Sequence, residues 1–294
     1  MRIVIAGASG LIGTELTRQL TERGDEVVRL VRRAARTLDE RAWDPASGDL
    51  DPAALAGAGA VVNLAGASIS RLPWTRARKD GILKSRIDAT ATIARGVRAA
   101  GVPVLVNGSA VGIYGSRPGE RLTEVSQEGE GFLADVVRSW EAAAHAAAQP
   151  GTRVALARTG VVIGDGGAVK PLRLLARLGV AGPLGSGRQH WPWISLHDEA
   201  SALVHLIDHG LEGPVNLAGP TPATAGELVC AIARDEKRPY WLPAPASLLT
   251  LALGDAAREL LLADQLQVPA KLIESGFRFR DRTLADALAA LRAS

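Results

Sequence analysis

The chain has 294 residues, of which 47% are hydrophobic and 22% are charged, and its formal net charge is +3. These values are typical of a globular protein with enough apolar side chains for a large core. The length suits one large domain with an appendage, or two smaller domains. Because the basic residues are scattered rather than clustered, we expect no nucleic-acid partner.

The cysteine content and the apolar segments limit the kind of protein further. Cys230 is the only cysteine, which excludes disulfides and cysteine metal sites; we interpret it as a small buried hydrophobe in a reducing compartment. No pattern of carboxylates or cysteines makes a metal-ligand set with the histidines at 190–209, so we predict no metal site. The first residues reach glycine too early for a signal peptide, and Ser247–Leu253 is too short to span a bilayer. We therefore expect a cytoplasmic location and no membrane partner.

Strand and helix patterns alternate along most of the chain. The predicted strands are Arg2–Ala6, Glu26–Val31, Ala60–Leu64, Val104–Asn107, Arg153–Ala157 and Pro214–Ala218. The predicted helices are Leu11–Arg23, Arg76–Ala100, Phe132–Ala148 and Thr283–Leu291. The strand runs are apolar throughout, as in parallel strands that are covered on both faces. The pattern predicts an α/β fold, a doubly wound parallel Rossmann sheet with a small C-terminal substrate-side unit.

The pattern changes towards the C-terminus. Glycine-rich segments flank a helix rich in Leu and Arg after Gly164, and the segment beyond Pro220 indicates a small, mainly helical unit. We therefore predict a nucleotide-binding domain at residues 1–220 and a C-terminal extension at residues 221–294.

Residues 7–13, Gly-Ala-Ser-Gly-Leu-Ile-Gly, follow the first predicted strand and begin the first predicted helix. Glycines there allow a tight turn, close approach of a pyrophosphate and close packing of helix on strand. The helix N-terminus supplies N–H groups and a partial positive charge to the phosphates. The segment therefore predicts a dinucleotide site; the alternative is a merely structural turn.

The end of the second predicted strand indicates which dinucleotide binds. An acidic residue there would bind the ribose 2′-hydroxyl of NAD, but the strand ends in Val31, Arg32 and Arg33. A guanidinium can pair with a 2′-phosphate through two hydrogen bonds, which favours NADP over NAD. The alternative is that both arginines are solvated surface charges. Residues 62–66, Val-Asn-Leu-Ala-Gly, end the third strand at the same edge, and Asn63 either contacts the cofactor or holds local backbone.

Ordered motifs along nearly the whole chain resemble a known family. They are Gly7–Gly13, Asn63–Gly66, Trp74, Ser85-Arg86, Gly108–Ala110, Tyr114-Gly115, Trp140-Glu141, Arg158–Val162, Gly182–Gln189, Trp193-Ile194, Pro269–Leu272 and Gly276-Phe277. Together they resemble the extended short-chain dehydrogenases/reductases, and within them an atypical epimerase-like branch with a characteristic C-terminal extension. The resemblance implies an NADP(H) site that includes Val31, Arg32, Leu64, Ala65, Arg86 and Val162. With the motif residues, the full expected cofactor set is Gly7, Ser9, Gly10, Leu11, Ile12, Gly13, Val31, Arg32, Arg33, Leu64, Ala65, Gly66, Arg86 and Val162.

The catalytic residues of the superfamily are incomplete here. Active members use a Tyr-x-x-x-Lys pair, in which the lysine lowers the tyrosine pKa, and a Ser or Thr that orients the same substrate oxygen. Ser109 takes the place of that serine, but the positions of the pair align with Leu133 and Val137. The branch's usual Trp-Ile-His-x-Asp-Asp is also altered, to Trp-Ile-Ser-Leu-His-Asp at residues 193–198. Ser109 is thus the candidate catalytic residue, with vestigial and structural roles as alternatives, and any substitute acid or base is unidentified.

Two hypotheses about function follow. The first is an NADP(H)-binding epimerase- or reductase-like protein; its substrate class, a nucleotide-linked sugar, is implied by the resemblance alone. The second is a non-catalytic NADP(H)-binding regulator, for example of cell division, which the missing Tyr/Lys pair favours.

Overall fold

A central sheet organises the computed structural model, which describes residues 1–293. The strands are β1 Arg2–Ala6, β2 Glu26–Val31, β3 Glu40–Asp44, β4 Asp49–Leu50, β5 Ala60–Asn63, β6 Val104–Ala110, β7 Arg121–Leu122, β8 Arg153–Thr159, β9 Val161–Ile163, β10 Trp193–Ser195, β11 Gly213–Leu217 and β12 Leu266–Gln267. The α-helices are α1 Leu11–Glu22, α2 Arg76–Ala100, α3 Phe132–His145, α4 Val169–Arg177, α5 Leu196–Asp208, α6 Ala225–Asp235, α7 Ala246–Leu253, α8 Ala270–Glu274 and α9 Leu284–Ala293.

The central sheet has eight strands in the order β11-β8-β6-β5-β1-β2-β3-β4. Neighbouring strands in this sheet are parallel, except for β3 and β4, which are antiparallel. The strand order reverses between β1 and β5, and ligands of such sheets bind outside the carboxyl ends of the strands at that point. The predicted doubly wound parallel sheet is therefore confirmed.

Two apolar clusters cover the two faces of the sheet. On one face, α1 and α5 pack on alternate strand residues such as Ile3 and Val106. On the other face, α2 and α3 pack on the intervening residues such as Val4 and Leu105. This alternation explains the continuously apolar strand sequences, because each strand contributes side chains to both clusters.

The chain beyond Pro220 is mainly helical in its described part. A third apolar cluster joins α6 and α9 to earlier residues, among them Leu172 on α4 and Trp193 on β10. The C-terminal segment also pairs with the sheet domain, because β12 lies parallel to β7. The C-terminal unit thus packs with residues on both sides of the predicted boundary at 220, and the boundary itself and the substrate-side role of the unit stay predictions.

Several elements differ from the sequence-based expectation. Strands β6 and β8 continue to Ala110 and Thr159, beyond the predicted ends, because the two strands pair along their whole length. Helix α3 ends at His145 rather than Ala148. Strands β3, β4, β7, β9, β10 and β12 and the helix α5 were not predicted. Within residues 1–293, no helix is both long and apolar enough to cross a membrane, and the cytoplasmic location stays a prediction.

Candidate functional site

The turn between β1 and α1 is packed so closely that only glycine fits at two of its positions. Gly7 has a φ of +84°, and a Cβ there would lie 2.7 Å from the carbonyl carbon of Leu64. A Cβ at Gly13 would lie 2.3 Å from the carbonyl oxygen of Gly7. These two glycines therefore hold the turn against β5 and the start of α1 against the turn.

Gly10 is packed less closely than those two glycines. A Cβ there would meet only the Gly7 carbonyl oxygen, at 3.3 Å. Gly10 caps α1 without a side-chain hydrogen bond. Within the described chain, the backbone N–H groups of Leu11 and Ile12 have no acceptor. Exposed Ser9 and Gly10 thus border an open helix N-terminus, which fits a pyrophosphate group.

The two arginines after β2 have different surroundings. Arg33 donates two hydrogen bonds to Glu40 on β3, at 2.7 and 2.8 Å. Hydrogen bonds from Arg33 and from the backbone N–H of Arg36 lower the pKa of Glu40 to about 2. Arg32 is exposed, and its side chain has no hydrogen bond or ion pair with residues 1–293. The structure therefore leaves Arg32, rather than Arg33, available to a phosphate beside Val31.

Arg86 on α2 reaches the segment that follows β5. Its Nη1 donates to the carbonyl oxygen of Ala67 at 2.9 Å, and its guanidinium lies 5.0 Å from the ring centroid of Trp140. A Cβ at Gly66 would lie 3.3 Å from the Arg86 side chain. Burial lowers the pKa of Arg86 to about 10, and no carboxylate pairs with it in the described chain. A half-buried cation without a counter-ion beside Ala65 and Gly66 fits an anionic ligand.

Asn63 holds local structure, which was one of the two alternatives for this residue. It is fully buried, and its Nδ2 donates to Thr90 and to Asn107 at 2.9 and 2.7 Å. Its Oδ1 accepts from the backbone N–H of Ala65 at 3.2 Å. The side chain thus fixes the segment at residues 64–66 without facing the site itself.

Ser109, the candidate catalytic residue, belongs to a buried ion-pair network. Its Oγ donates to Glu141 Oε1 at 2.5 Å, and Arg158 donates to both oxygens of the same carboxylate at 2.9 Å. Burial acts to lower the pKa of Arg158, but the bonds with Glu141 raise it overall. All three residues are buried, so the structure favours the structural role for Ser109 over the catalytic one.

Tyr114 extends the same network. Its hydroxyl accepts from Arg158 at 3.0 Å and donates to Asn216 at 2.7 Å. Asn216 also accepts from Gln267 of β12, at 2.9 Å. Burial raises the pKa of Tyr114. The phenol is therefore held neutral in the core, where it links the sheet to the C-terminal segment.

The positions of the missing Tyr/Lys pair are apolar in the structure. Val137 is buried, and half-buried Leu133 borders a cleft of about 140 Å³ together with Glu130, Arg258 and Gln265. No titratable side chain of α3 takes the place of the pair at these two positions. Within residues 1–293, no three His, Cys, Asp or Glu residues are grouped so as to hold a metal ion.

The altered motif at residues 193–198 is structural. Ser195 caps α5 by accepting from the backbone N–H of Asp198 at 3.1 Å. The Asp198 carboxylate accepts from the backbone N–H groups of Arg280 and Asp281 at 3.0 and 2.9 Å. His197 faces α1 and lies 3.3 Å from Gln19. These residues therefore tie the C-terminal segment and α1 to α5.

Sequence reasoning missed one pair of residues near the carboxyl end of β8. Thr159 donates to Glu199 of α5 at 2.7 Å, and Glu199 is fully buried. The helical spacing carried a signal, because Glu199, Leu203 and Leu206 recur at i, i+4 and i+7 and so share one face. An acidic residue on an apolar face indicates a buried carboxyl group.

The sequence profile of the NAD dependent epimerase/dehydratase family matches residues 3–218. The chain belongs to this family. A second profile, of a domain of unknown function (DUF1731), matches residues 244–291. The epimerase-family resemblance drawn from the motifs, with its C-terminal extension, is therefore confirmed.

Relatives of this epimerase-family chain match it from end to end. Epimerase family protein Mb2239 of Mycobacterium bovis is 43% identical over 288 residues, 97% of this chain and 96% of the relative. The crystal structure of human epimerase family protein SDR39U1 with NADPH has a TM-score of 0.91, 30% identity and 100% coverage of both chains. A nucleoside-diphosphate sugar epimerase of Corynebacterium glutamicum has a TM-score of 0.81 at 32% identity and covers 98% of this chain and 57% of its own.

Proposed function

We propose that this chain binds NADP(H) across the carboxyl ends of β2, β1, β5 and β6. The observation that carries the proposal is the pairing at the end of β2, where Glu40 holds Arg33 and leaves Arg32 without a partner. A guanidinium at that place suits a 2′-phosphate and does not suit a bare ribose hydroxyl. The human relative crystallised with NADPH supports the same cofactor.

The remaining residues of the proposed site fit the rest of the dinucleotide. The N–H groups of Leu11 and Ile12, with Gly7, Ser9, Gly10 and Gly13, would hold the pyrophosphate. Leu64, Ala65 and Gly66 would border the adenosine half, Arg86 would supply a cation, and Val162 of β9 would border the nicotinamide half. When bound, the cofactor supplies reversible hydride transfer.

We propose an epimerase- or reductase-like reaction on a nucleotide-linked sugar. Membership of the epimerase/dehydratase family and the similarity to the nucleoside-diphosphate sugar epimerase of Corynebacterium glutamicum support this substrate class. The residues of this chain would bind and orient the substrate on the side of the C-terminal extension. The usual phenolate base is absent, since Leu133 and Val137 occupy the positions of the Tyr/Lys pair.

A non-catalytic NADP(H)-binding regulator is the second candidate. Two observations favour it: the apolar Leu133 and Val137, and the closed hydrogen-bond network around Ser109 and Tyr114. In the glycine-rich loop at residues 185–189, Gln189 is buried and donates to the backbone carbonyls of Leu184 and Leu261, so its amide is engaged within the chain rather than available to a substrate.

Binding and turnover measurements test these proposals in order. Calorimetric titration should show NADPH binding at least ~10-fold tighter than NADH, which is about 1.4 kcal/mol. Equal affinities would overturn the NADP(H) proposal. A panel of nucleotide sugars should then show slow turnover, because a positioned acid–base group contributes about 10²–10⁴-fold. Tight NADPH binding without turnover of any sugar would support the regulator instead.

A further inference from the structure

Glu199 is a buried carboxyl group with one oxygen that lacks a partner. Its Oε1 accepts from the Thr159 hydroxyl at 2.7 Å, whereas its Oε2 is buried and has no hydrogen-bond partner in the described chain. The residue is 0% exposed. Burying a carboxylate is costly unless it is paired, so a lone buried carboxyl group is held in its neutral form.

No charged group faces Glu199 from the sheet side. Strands β6, β9 and β10 carry no titratable side chain. Of the arginines on β8, Arg158 lies on the opposite face with Glu141, and Arg153 donates to backbone carbonyls at the far end of α5, including that of Leu206. No cation on these strands therefore stabilises the ionised form of Glu199.

The charged groups on the adjoining helices are engaged elsewhere. Glu15 of α1 pairs with Arg18 and lies 3.6 Å from His197, the residue of α5 that faces it. Asp198 accepts from the backbone of the C-terminal segment at Arg280 and Asp281. Burial is thus the main influence on the Glu199 carboxyl group and raises its pKa to about 8.

Thr159 connects this carboxyl group to the edge of the sheet where the cofactor is proposed to bind. It is the last residue of β8, is half-buried, and pairs with Ala110 at the end of β6. If the adenosine end lies at β2 and the pyrophosphate at β1, the strand order directs the nicotinamide half towards β6 and β8. The hydroxyl of Thr159 thus lies between that end of the site and Glu199.

We propose that Thr159 and Glu199 form a proton-holding pair that responds to the charge of the nicotinamide ring. This inference rests on the proposed NADP(H) site. The oxidised ring is positively charged and the reduced ring is neutral, so an ionised Glu199 stabilises bound NADP+ and leaves bound NADPH nearly unaffected. Binding of NADP+ therefore releases the Glu199 proton to the buffer, and binding of NADPH does not.

The affinity ratio of the two cofactor forms measures this coupling. The dissociation constants of NADP+ and NADPH would be determined by calorimetry between about pH 6 and about pH 9, a range that spans the ionisation of Glu199. NADP+ should bind about tenfold tighter, relative to NADPH, at the upper end of the range. Titration of the cofactor's own 2′-phosphate is common to both forms and cancels in the ratio.

Three variants assign the effect to the pair. Glu199→Gln keeps the hydrogen bond from Thr159 but cannot ionise, so its ratio should be independent of pH. Thr159→Val removes the one bond that favours the ionised form and should move the change in ratio to higher pH. Glu15→Gln, a matched loss of a carboxylate on α1, should keep the wild-type profile. A pH profile shared by the wild type and Glu199→Gln would overturn the proposal.

A measurement on the unmodified protein does not depend on how the variants fold. Calorimetry in two buffers of different ionisation enthalpy gives the number of protons released, which should be larger for NADP+ than for NADPH at about pH 7 to 8. Equal proton release for both forms would refute the pair. If neither form binds at any pH, the proposed NADP(H) site itself fails, which is a different outcome from binding without differential proton release.

Discussion

Glu40 holds Arg33 with both of its carboxylate oxygens, and this ion pair separates the roles of two adjacent arginines. In the sequence, Arg32 and Arg33 are two adjacent cations after β2, and nothing in their spacing distinguishes their roles. In the structure, Glu40 is buried on β3 and pairs with Arg33. Arg32 is therefore exposed to solvent and available to a ligand at this edge of the sheet.

The first prediction is that Arg32→Ala removes most of the preference for NADPH. The variant should bind NADPH about tenfold more weakly, because the 2′-phosphate loses its guanidinium partner, while NADH binding stays nearly unaltered. Fluorescence titration with both cofactors measures the ratio directly. Arg33→Ala is the matched control and should change the ratio less, because Arg33 is already bonded to Glu40. A larger loss of NADPH preference in Arg33→Ala than in Arg32→Ala would contradict the assignment.

A second prediction contrasts two glycines of the same turn. Gly10→Val should fold, since Gly10 has a φ of −79° and only the Gly7 carbonyl oxygen lies near its Cβ position, at 3.3 Å. The branched side chain would occupy the space proposed for the pyrophosphate, so NADPH binding should be abolished. Thermal unfolding and calorimetric titration together check the two parts, and normal NADPH binding would reduce the glycine turn to a structural element.

Gly13→Ala provides the comparison, because it should destabilise the protein without filling the space proposed for the pyrophosphate. Its Cβ would lie 2.3 Å from the Gly7 carbonyl oxygen, so the turn or the helix must shift. Overpacking of this kind costs about 1–3 kcal/mol of the free energy of unfolding. If Gly13→Ala is as stable as the wild type, the close approach of α1 to the turn is less rigid than the distances indicate.

The sequence predicted the β1–α1–β2 unit well because each of its signals is local. An apolar strand, a glycine turn and an amphipathic helix follow one another within residues 2–31, and no distant residue is needed to define them. The ends of β6 and β8 were predicted too early in the chain. The last residues of these strands, up to Ala110 and Thr159, are in strand conformation because the two strands pair with each other.

The candidate site shows the same limit. Glycine and arginine positions at strand ends could be identified from their spacing. Whether such a side chain is free to contact a ligand depends on partners that are distant in the chain or on another element. Nothing near Ser109 in the sequence indicates that Glu141 would bind its hydroxyl, 32 residues away. The ionisation of Glu199 likewise depends on burial by elements that are separate in sequence, so only the fold reveals it.

A third prediction concerns the network of Ser109, Glu141 and Arg158. Ser109→Ala should lower the free energy of unfolding by about 1–3 kcal/mol, since the buried carboxylate loses a hydrogen bond. Glu141→Leu should cost more, about 3–5 kcal/mol, because it leaves the buried charge of Arg158 without a counter-ion and with only the Tyr114 hydroxyl as a hydrogen-bond acceptor. Urea denaturation measures both. If Ser109→Ala leaves stability unchanged but lowers turnover of a nucleotide sugar, the catalytic role of Ser109 regains support.

The last prediction follows from the sign of the Glu199 shift. Its pKa is raised by burial from 4.5 to about 8, so the folded protein holds this proton more tightly than the unfolded chain does. Such a group favours folding below the unfolded pKa, and the benefit is lost as pH rises towards the folded pKa. Across that window, the wild type should lose up to ~1.4 kcal/mol of unfolding free energy per pH unit relative to Glu199→Gln. Above about pH 8 the difference between the two proteins should become constant. Urea denaturation from about pH 5 to about pH 9 measures the difference, with Glu15→Gln as the control that should follow the wild type in this window. Parallel stability curves for the wild type and Glu199→Gln would mean that Glu199 does not titrate with a raised pKa, and that the buried carboxyl group is exposed to water or paired in solution.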